Sequence, residues 1–232
     1  MKTLVAVATT AERVALLPSS LGSLRKQCDL LHVYLNGHAE VPECVLDLAD
    51  AHVRSAENEG ADKKFHWAHE HEGVYLSCDD DFVYPPDYVS RMVGDVQRWG
   101  GQALVTAHGR TYPPFPKDAG DQLLGRAATL SSRVPHGRWV NHCGTGVLAW
   151  DASRIKVPVA YPVRNRTDVQ LSAWANRLGI PIWTVAHNPG WLKPIPHAGG
   201  SVGKQSRAEG HSTKNALLLQ HGEWKLHELE SS

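Results

Sequence analysis

The chain has 232 residues, 42% of them hydrophobic and 21% charged, which suffices for one well-filled core and excludes an intrinsically disordered chain. Twenty-four basic residues against twenty-four acidic ones leave no formal charge at pH 7, so the broad positive field of a nucleic-acid-binding surface is missing. The four cysteines, Cys28, Cys44, Cys78 and Cys143, include no CxxC pair, which excludes a zinc ribbon and a dense disulfide framework and fits a reducing cytoplasm.

Short apolar runs alternate with amphipathic stretches through the first half, the rhythm of strand–helix units that build a largely parallel sheet. The pattern predicts strands over 4–8 and 30–35, a helix over 19–27 after Pro18, a helix opened by Pro42, a third strand over 52–55 and a helix over 62–70. A fourth strand over 73–78 runs straight into Asp79, Asp80 and Asp81, and Pro86 is placed to begin a helix that reaches Trp99. Residues 102–108 read as a fifth strand, and 109–138 as irregular chain with four prolines. Gly144-Thr145-Gly146 leads into a strand over 147–150, Thr167-Asp168 starts a helix closed by Gly179, and a last core strand covers 182–186. The glycine- and proline-rich stretch 188–210, with Lys193, Lys204 and Arg207, is expected to be a flexible flap, and a helix over 211–221 ends the domain. The apolar run at the start is too short for a signal peptide, and no window approaches 18 apolar residues, so no membrane span is expected. Peripheral contact with a membrane stays open.

Three consecutive carboxylates at a strand end repel one another unless a cation or dedicated donors neutralise them. In an extended segment Asp79 and Asp81 project to one side and can share a divalent ion, while Asp80 faces a ribose or a backbone partner. All-oxygen ligation suits Mg2+ or Mn2+, which take the rest of their shell from diphosphate and water. A solvated acidic turn before the next helix is the competing reading.

The run 73–89, GVYLSCDDDFVYPPDYV, closely resembles the DxD segment of bacterial GT-A glycosyltransferases of the family-2-like kind, several of which build capsule or lipopolysaccharide chains. Segments 4–10, 32–37 and 58–65, Gly144-Thr145-Gly146, and Asp168 at a helix start agree in order and spacing, so the resemblance covers most of residues 3–192. It implies an α/β single domain over 1–232 with a Rossmann-like, mixed but mainly parallel sheet flanked by helices. Residues 1–108 would form the nucleotide-sugar-binding half and 109–232 the acceptor-binding half. The resemblance further implies that Thr9, Thr10 and Arg13 hold the nucleotide of a donor, with UDP-sugars favoured, and that Asp62 and Lys64 contact base and diphosphate. Asp79 and Asp80 join that donor site, and Asp81 and then Asp79 ligate Mn2+ or Mg2+. His187, His197 and His211 are candidates for a C-terminal histidine ligand, with His197 carried forward. A solvated helix face explains Asp62 and Lys64 equally well.

Transfer from such a donor also needs a base for the acceptor hydroxyl. Asp168 resembles the base of these enzymes, opposite the leaving group, which implies inversion; a helix-capping role is the plain alternative, and Thr167 stands where many relatives carry another residue. Gly144, Thr145, Gly146 and Trp191 are candidates for contact with a glycan or lipid-linked acceptor, although an ordinary turn accounts for the first three. Trp139, Trp150 and Trp191 could stack on a sugar ring or simply pack. The implied setting is surface-polysaccharide synthesis in the cytoplasm, at the inner face of the membrane if attached. Two other functions fit part of the sequence: a sugar nucleotidyltransferase, although no glycine-rich phosphate loop follows the first strand, and a non-catalytic metal- or sugar-binding module suggested by fourteen scattered histidines.

Overall fold

The computed structural model describes residues 1–123, 127–197 and 211–230; Lys204 and Arg207 of the expected flap lie outside the described residues. In chain order the first half contains β1 (Thr3–Thr10), α1 (Leu17–Arg25), β2 (Leu30–Asn36), α2 (Glu43–Leu48), β3 (Ala51–Ser55), β4 (Val74–Cys78), β5 (Phe82–Val83), α3 (Tyr88–Arg98) and β6 (Leu104–Thr106). The second half contains β7 (Gly109–Arg110), β8 (Arg138–Val140), β9 (His142–Cys143), β10 (Val147–Asp151), α4 (Thr167–Arg177), β11 (Ile182–Thr184), β12 (Lys193–Pro194) and α5 (Ser212–His221).

Eight strands form one sheet in the order β3-β2-β1-β4-β10-β6-β11-β8. The neighbours β3, β2, β1 and β4 run parallel, β10 is antiparallel to both β4 and β6, β11 is parallel to β6, and β8 opposes β11. Strands this apolar are covered on both faces, and alternation along β1 shows how. Val5 and Val7 pack with Leu17, Leu21 and Leu24 of α1 and with Met92 and Val96 of α3. Leu4 and Ala6 belong to the opposite layer, with Phe65, Tyr75, Trp150 and Leu171 and Ala175 of α4. A smaller cluster of Tyr112, Val169, Ala173, Leu218 and Trp224 fastens α5 to α4.

The expected layout holds, and the differences are local. Helix α1 begins at Leu17, ahead of the predicted start, because Pro18 fits a first helical turn whose N–H groups have no partner. The predicted helix over 62–70 is instead a short 3-10 turn, Ala61–Phe65, followed by further turns. Phe65 and Trp67 both pack into the layer above the sheet, and an α-helix would point residues two apart to nearly opposite sides. Helix α3 starts at Tyr88, after a turn in which the Tyr88 N–H donates to the Pro85 carbonyl at 3.0 Å. Within the stretch read as irregular, β7 pairs with β9 and β8 joins the main sheet edge. The β5–β12 ribbon brings residues 193–194 back beside the acidic cluster, with the Ile195 N–H donating to the Asp81 carbonyl at 2.7 Å.

Candidate functional site

A cleft of about 920 Å³ opens where β1 and β4 end. From β1 the chain passes outward to β2, whereas beyond β4 the sheet continues through β10, β6, β11 and β8; such a switch point leaves a crevice at the carboxyl ends of parallel strands. Thr9, Thr10 and Arg13 line it from the end of β1, Asp79, Asp80 and Asp81 from the end of β4, and Gly144, Thr145, Gly146 and Asp168 from the other half of the chain.

The three aspartates do not alternate as an extended strand would place them. The ladder stops at Cys78 and Asp80 and Asp81 occupy a turn, so Asp80 and Asp81 point together and Asp79 apart. Arg13 bridges the pair, bonded to the Asp80 carboxylate and 3.1 Å from Asp81 Oδ2. Asp79 is bonded to Lys64, which is 3% exposed. Burial pushes the Asp80 carboxyl up to about 6 against the pull of Arg13, so it is mostly ionised at neutral pH. Burial also raises Asp81, aided by Asp79. Burial opposes the charges on Arg13 and Lys64, yet the surrounding aspartates outweigh it and hold both cations above their usual values. Gly146 makes room for this arrangement: a Cβ there would lie 1.8 Å from Asp79 Oδ2. The Asp79 N–H donates to the Gly146 carbonyl at 2.9 Å, and the Tyr84 hydroxyl donates to the Asp79 carbonyl at 2.9 Å.

Two carboxylate oxygens, Asp80 Oδ2 and Asp81 Oδ1, are buried without a hydrogen-bond partner. Unpartnered anionic oxygens are costly in a protein interior, and hard oxygen donors of this kind fit Mg2+ or Mn2+. Among the described residues no group of three or more His, Cys, Asp or Glu side chains is placed to hold a metal ion, so the protein would supply few of its ligands. An open site suits ions that keep water and phosphate in their shell. His197 lies beside the cluster, Nε2 being 3.6 Å from Asp81 Oδ2 and 3.4 Å from Arg13 Nη2.

Asp168 sits in the first turn of α4, exposed to the cleft. It does not cap the helix; its Oδ1 accepts from the Thr145 N–H at 2.8 Å and the Thr145 hydroxyl at 2.5 Å. Thr145 is itself anchored, its carbonyl accepting from the Ser77 hydroxyl of β4 at 2.7 Å. The middle residue of the Gly-Thr-Gly segment therefore aims the carboxylate.

Other candidates fall elsewhere. Asp62 does not line the cleft; its carboxylate accepts from the Tyr161 N–H at 3.3 Å. Trp191 is also outside it, stacked on His187, covered by the Arg91 guanidinium 4.3 Å from its ring and donating to Asp87 at 2.9 Å. His187 is buried, with Nε2 3.1 Å from the Ala107 carbonyl, while His211 lines the cleft. Trp150 is a core residue against Tyr75, and Trp139 packs with Trp99 and Trp183. The reading of the sequence missed His108, Arg110, His142 and Lys214, which line the end of the cleft near Asp168. The signal available was the Arg110–His142 pairing of β7 and β9, which the surrounding prolines conceal.

No family model and no curated protein matches this chain. Solved structures do. Glucosyl-3-phosphoglycerate synthase from Mycobacterium tuberculosis, in complex with phosphoglyceric acid, is similar over 95% of this chain and 80% of its own, with a TM-score of 0.61 and 14% identity. GalNAc-T7 with UDP, GalNAc and Mn2+ is similar over 80% of this chain, with a TM-score of 0.57 and 9% identity; this chain spans 42% of it. 4-Diphosphocytidyl-2C-methyl-D-erythritol synthase is similar over 94% of this chain and 99% of its own, with a TM-score of 0.53 and 9% identity. At these identities the likeness shows the fold, a GT-A, Rossmann-like α/β domain. Among the described residues no helix is long and apolar enough to cross a membrane.

Proposed function

We propose that this protein is a divalent-metal-dependent glycosyltransferase that moves a sugar from a nucleoside diphosphate, a UDP-sugar being favoured, to an acceptor hydroxyl with inversion. The observation that carries the reading is the meeting, in one cleft at the switch point of the sheet, of the Asp79–Asp81 cluster and the oriented carboxylate of Asp168. The GalNAc-T7 structure holds UDP, a sugar and Mn2+ on the same fold, which supports this choice of donor and metal.

In this reading Thr9, Thr10 and Arg13 border the nucleotide, while Arg13, bonded to Asp80 and Asp81, and Lys64, bonded to Asp79, bring positive charge to the place where a diphosphate would lie. The unpartnered oxygens of Asp80 and Asp81, with His197 beside them, are the groups that would hold Mn2+ or Mg2+, which would offset the charge building on the departing diphosphate. Both donors on Asp168 converge on Oδ1, which leaves Oδ2 to take the proton of the attacking hydroxyl. The acceptor oxygen then bonds to the anomeric carbon as the bond to the diphosphate oxygen breaks on the opposite face. The glycines beside Thr145 serve the site indirectly, Gly146 by leaving room for the Asp79 carboxylate and Gly144 by its close approach to His108.

The erythritol synthase of similar fold gives the competing reading, a nucleotidyltransferase. Incubation with a panel of nucleotide sugars and Mn2+ separates the two: the transferase reading expects slow release of sugar from one donor, and a nucleotidyltransferase releases pyrophosphate from a nucleoside triphosphate instead. Asp168→Asn should bind the donor normally and lose transfer by about a hundredfold to ten-thousandfold. An Asn variant with full transfer would remove Asp168 from the reaction.

A further inference from the structure

The end of the cleft near Asp168 has a charge pattern that donor binding does not use. Arg110 and His142 are directly paired across the β7–β9 ribbon, which puts their side chains on one face. The His142 ring meets Tyr112 edge-on at 5.6 Å, and Lys214 of α5 stands over the same Tyr112 ring at 5.7 Å. Arg110, His142 and Lys214 all line the cleft. Among the described residues neither Arg110 nor Lys214 has a carboxylate partner, and Arg110 Nε is buried without a hydrogen bond. His142 is 3% exposed, and both of its ring nitrogens lack a partner. Burial, reinforced by Lys214 and Arg110, pushes the His142 imidazole well below its usual value, as expected for positive potential without a counter-charge. Leaving buried donors unsatisfied beside like charges costs stability, and a bound anion would relieve both.

We propose that this end of the cleft binds the acceptor through an anionic group, a phosphate or carboxylate held by Arg110 and Lys214 with His142 as a further donor, so that the acceptor is a small charged hydroxy compound whose hydroxyl is presented to Asp168. The proposal rests on the transferase reading and narrows it. The transfer step keeps its balance: the acceptor O–H proton goes to Asp168, the oxygen bonds to the anomeric carbon, and the diphosphate leaves with the electron pair of the broken bond. The anion itself takes no part and serves to orient the molecule.

The test titrates glycerol 3-phosphate, glycerate and glycerol into the full chain saturated with UDP and Mn2+, followed by calorimetry. One or both anions should bind, glycerol should not, and Arg110→Gln and Lys214→Gln should each weaken the anion about tenfold or more while UDP affinity stays within twofold. Arg110→Lys should retain part of the affinity, which a merely misfolded variant would not. Equal binding of glycerol, absence of binding by both anions, or a loss confined to UDP affinity would overturn the proposal, the last by assigning the cluster to the donor. If the wild-type chain does not bind UDP, the transferase reading fails by itself, and the same anions titrated into the chain alone still decide whether the cluster is an anion site.

Discussion

A glycine sets the position of the most exposed carboxylate in the cluster. Gly146 leaves the space in which Asp79 Oδ2 lies, and a methyl group there would overlap the carboxylate at 1.8 Å. Asp79 is half-buried and can swing toward solvent, whereas Lys64 is buried and would lose its bonded partner. Gly146→Ala should therefore lower stability by about 1–3 kcal/mol in chemical denaturation, with most of the cost vanishing when the same change is made in an Asp79→Ala background. A cost that is the same in both backgrounds would place the strain elsewhere. The sequence shows the glycine and the aspartate but not that they meet, because 68 residues, 79–146, separate the end of β4 from the start of β10. The residue-level reading of Asp79-Asp80-Asp81 was limited for a related reason. Strand alternation applies only while the ladder continues, and here it stops at Cys78, so Asp80 and Asp81 face Arg13 together.

At the scale of elements, the strands of the first half and α4 were legible because their apolar residues keep a clear period, two along buried strands and near 3.6 along helices. Segments whose shape depends on distant partners were not. The chain from Ala61 to Ala68 has helix-forming composition, yet the need to bury Phe65 and Trp67 on the same layer turns it into short turns. The β5–β12 ribbon has two residues on each side, too few to leave a period, although it positions His197 beside Asp81. The β7–β9 ribbon is equally short, and it builds the cationic end of the cleft. The place of Asp168 at a helix start was legible, and its role was implied by the resemblance; its orientation by Thr145 needed the fold, as did the placing of Trp191 in the packing around Arg91 and His187.

For the whole molecule, the sheet interleaves β6 with strands from later in the chain beyond β4, and histidines are buried along the whole length. His38, His71, His142 and His187 are each less than 9% exposed, and burial lowers the imidazole pKa of all four; His108 is pushed down to about 4. These rings stay neutral in the fold while the unfolded chain takes up protons below about 6.5, so their contribution is complete above that value and is lost as pH falls toward 4. Asp80, Asp81 and Asp95, raised by burial, work the other way at lower pH, Asp80 around 6. Between pH 7.5 and 6 the histidines dominate, and denaturation should show a loss of at least about 1 kcal/mol; a flat profile would mean that the rings are hydrated or paired in solution. The central claim is that the aspartates at the end of β4 bind a nucleoside diphosphate together with a divalent ion. The most direct measurement is calorimetric titration of UDP with and without Mn2+, on the wild-type chain and on Asp81→Ala. The account predicts that Mn2+ tightens UDP binding at least about tenfold in the wild type and has no such effect in the variant, a difference of about 1.4 kcal/mol or more. UDP affinity indifferent to Mn2+ in the wild type, or equally strengthened by it in Asp81→Ala, would contradict it.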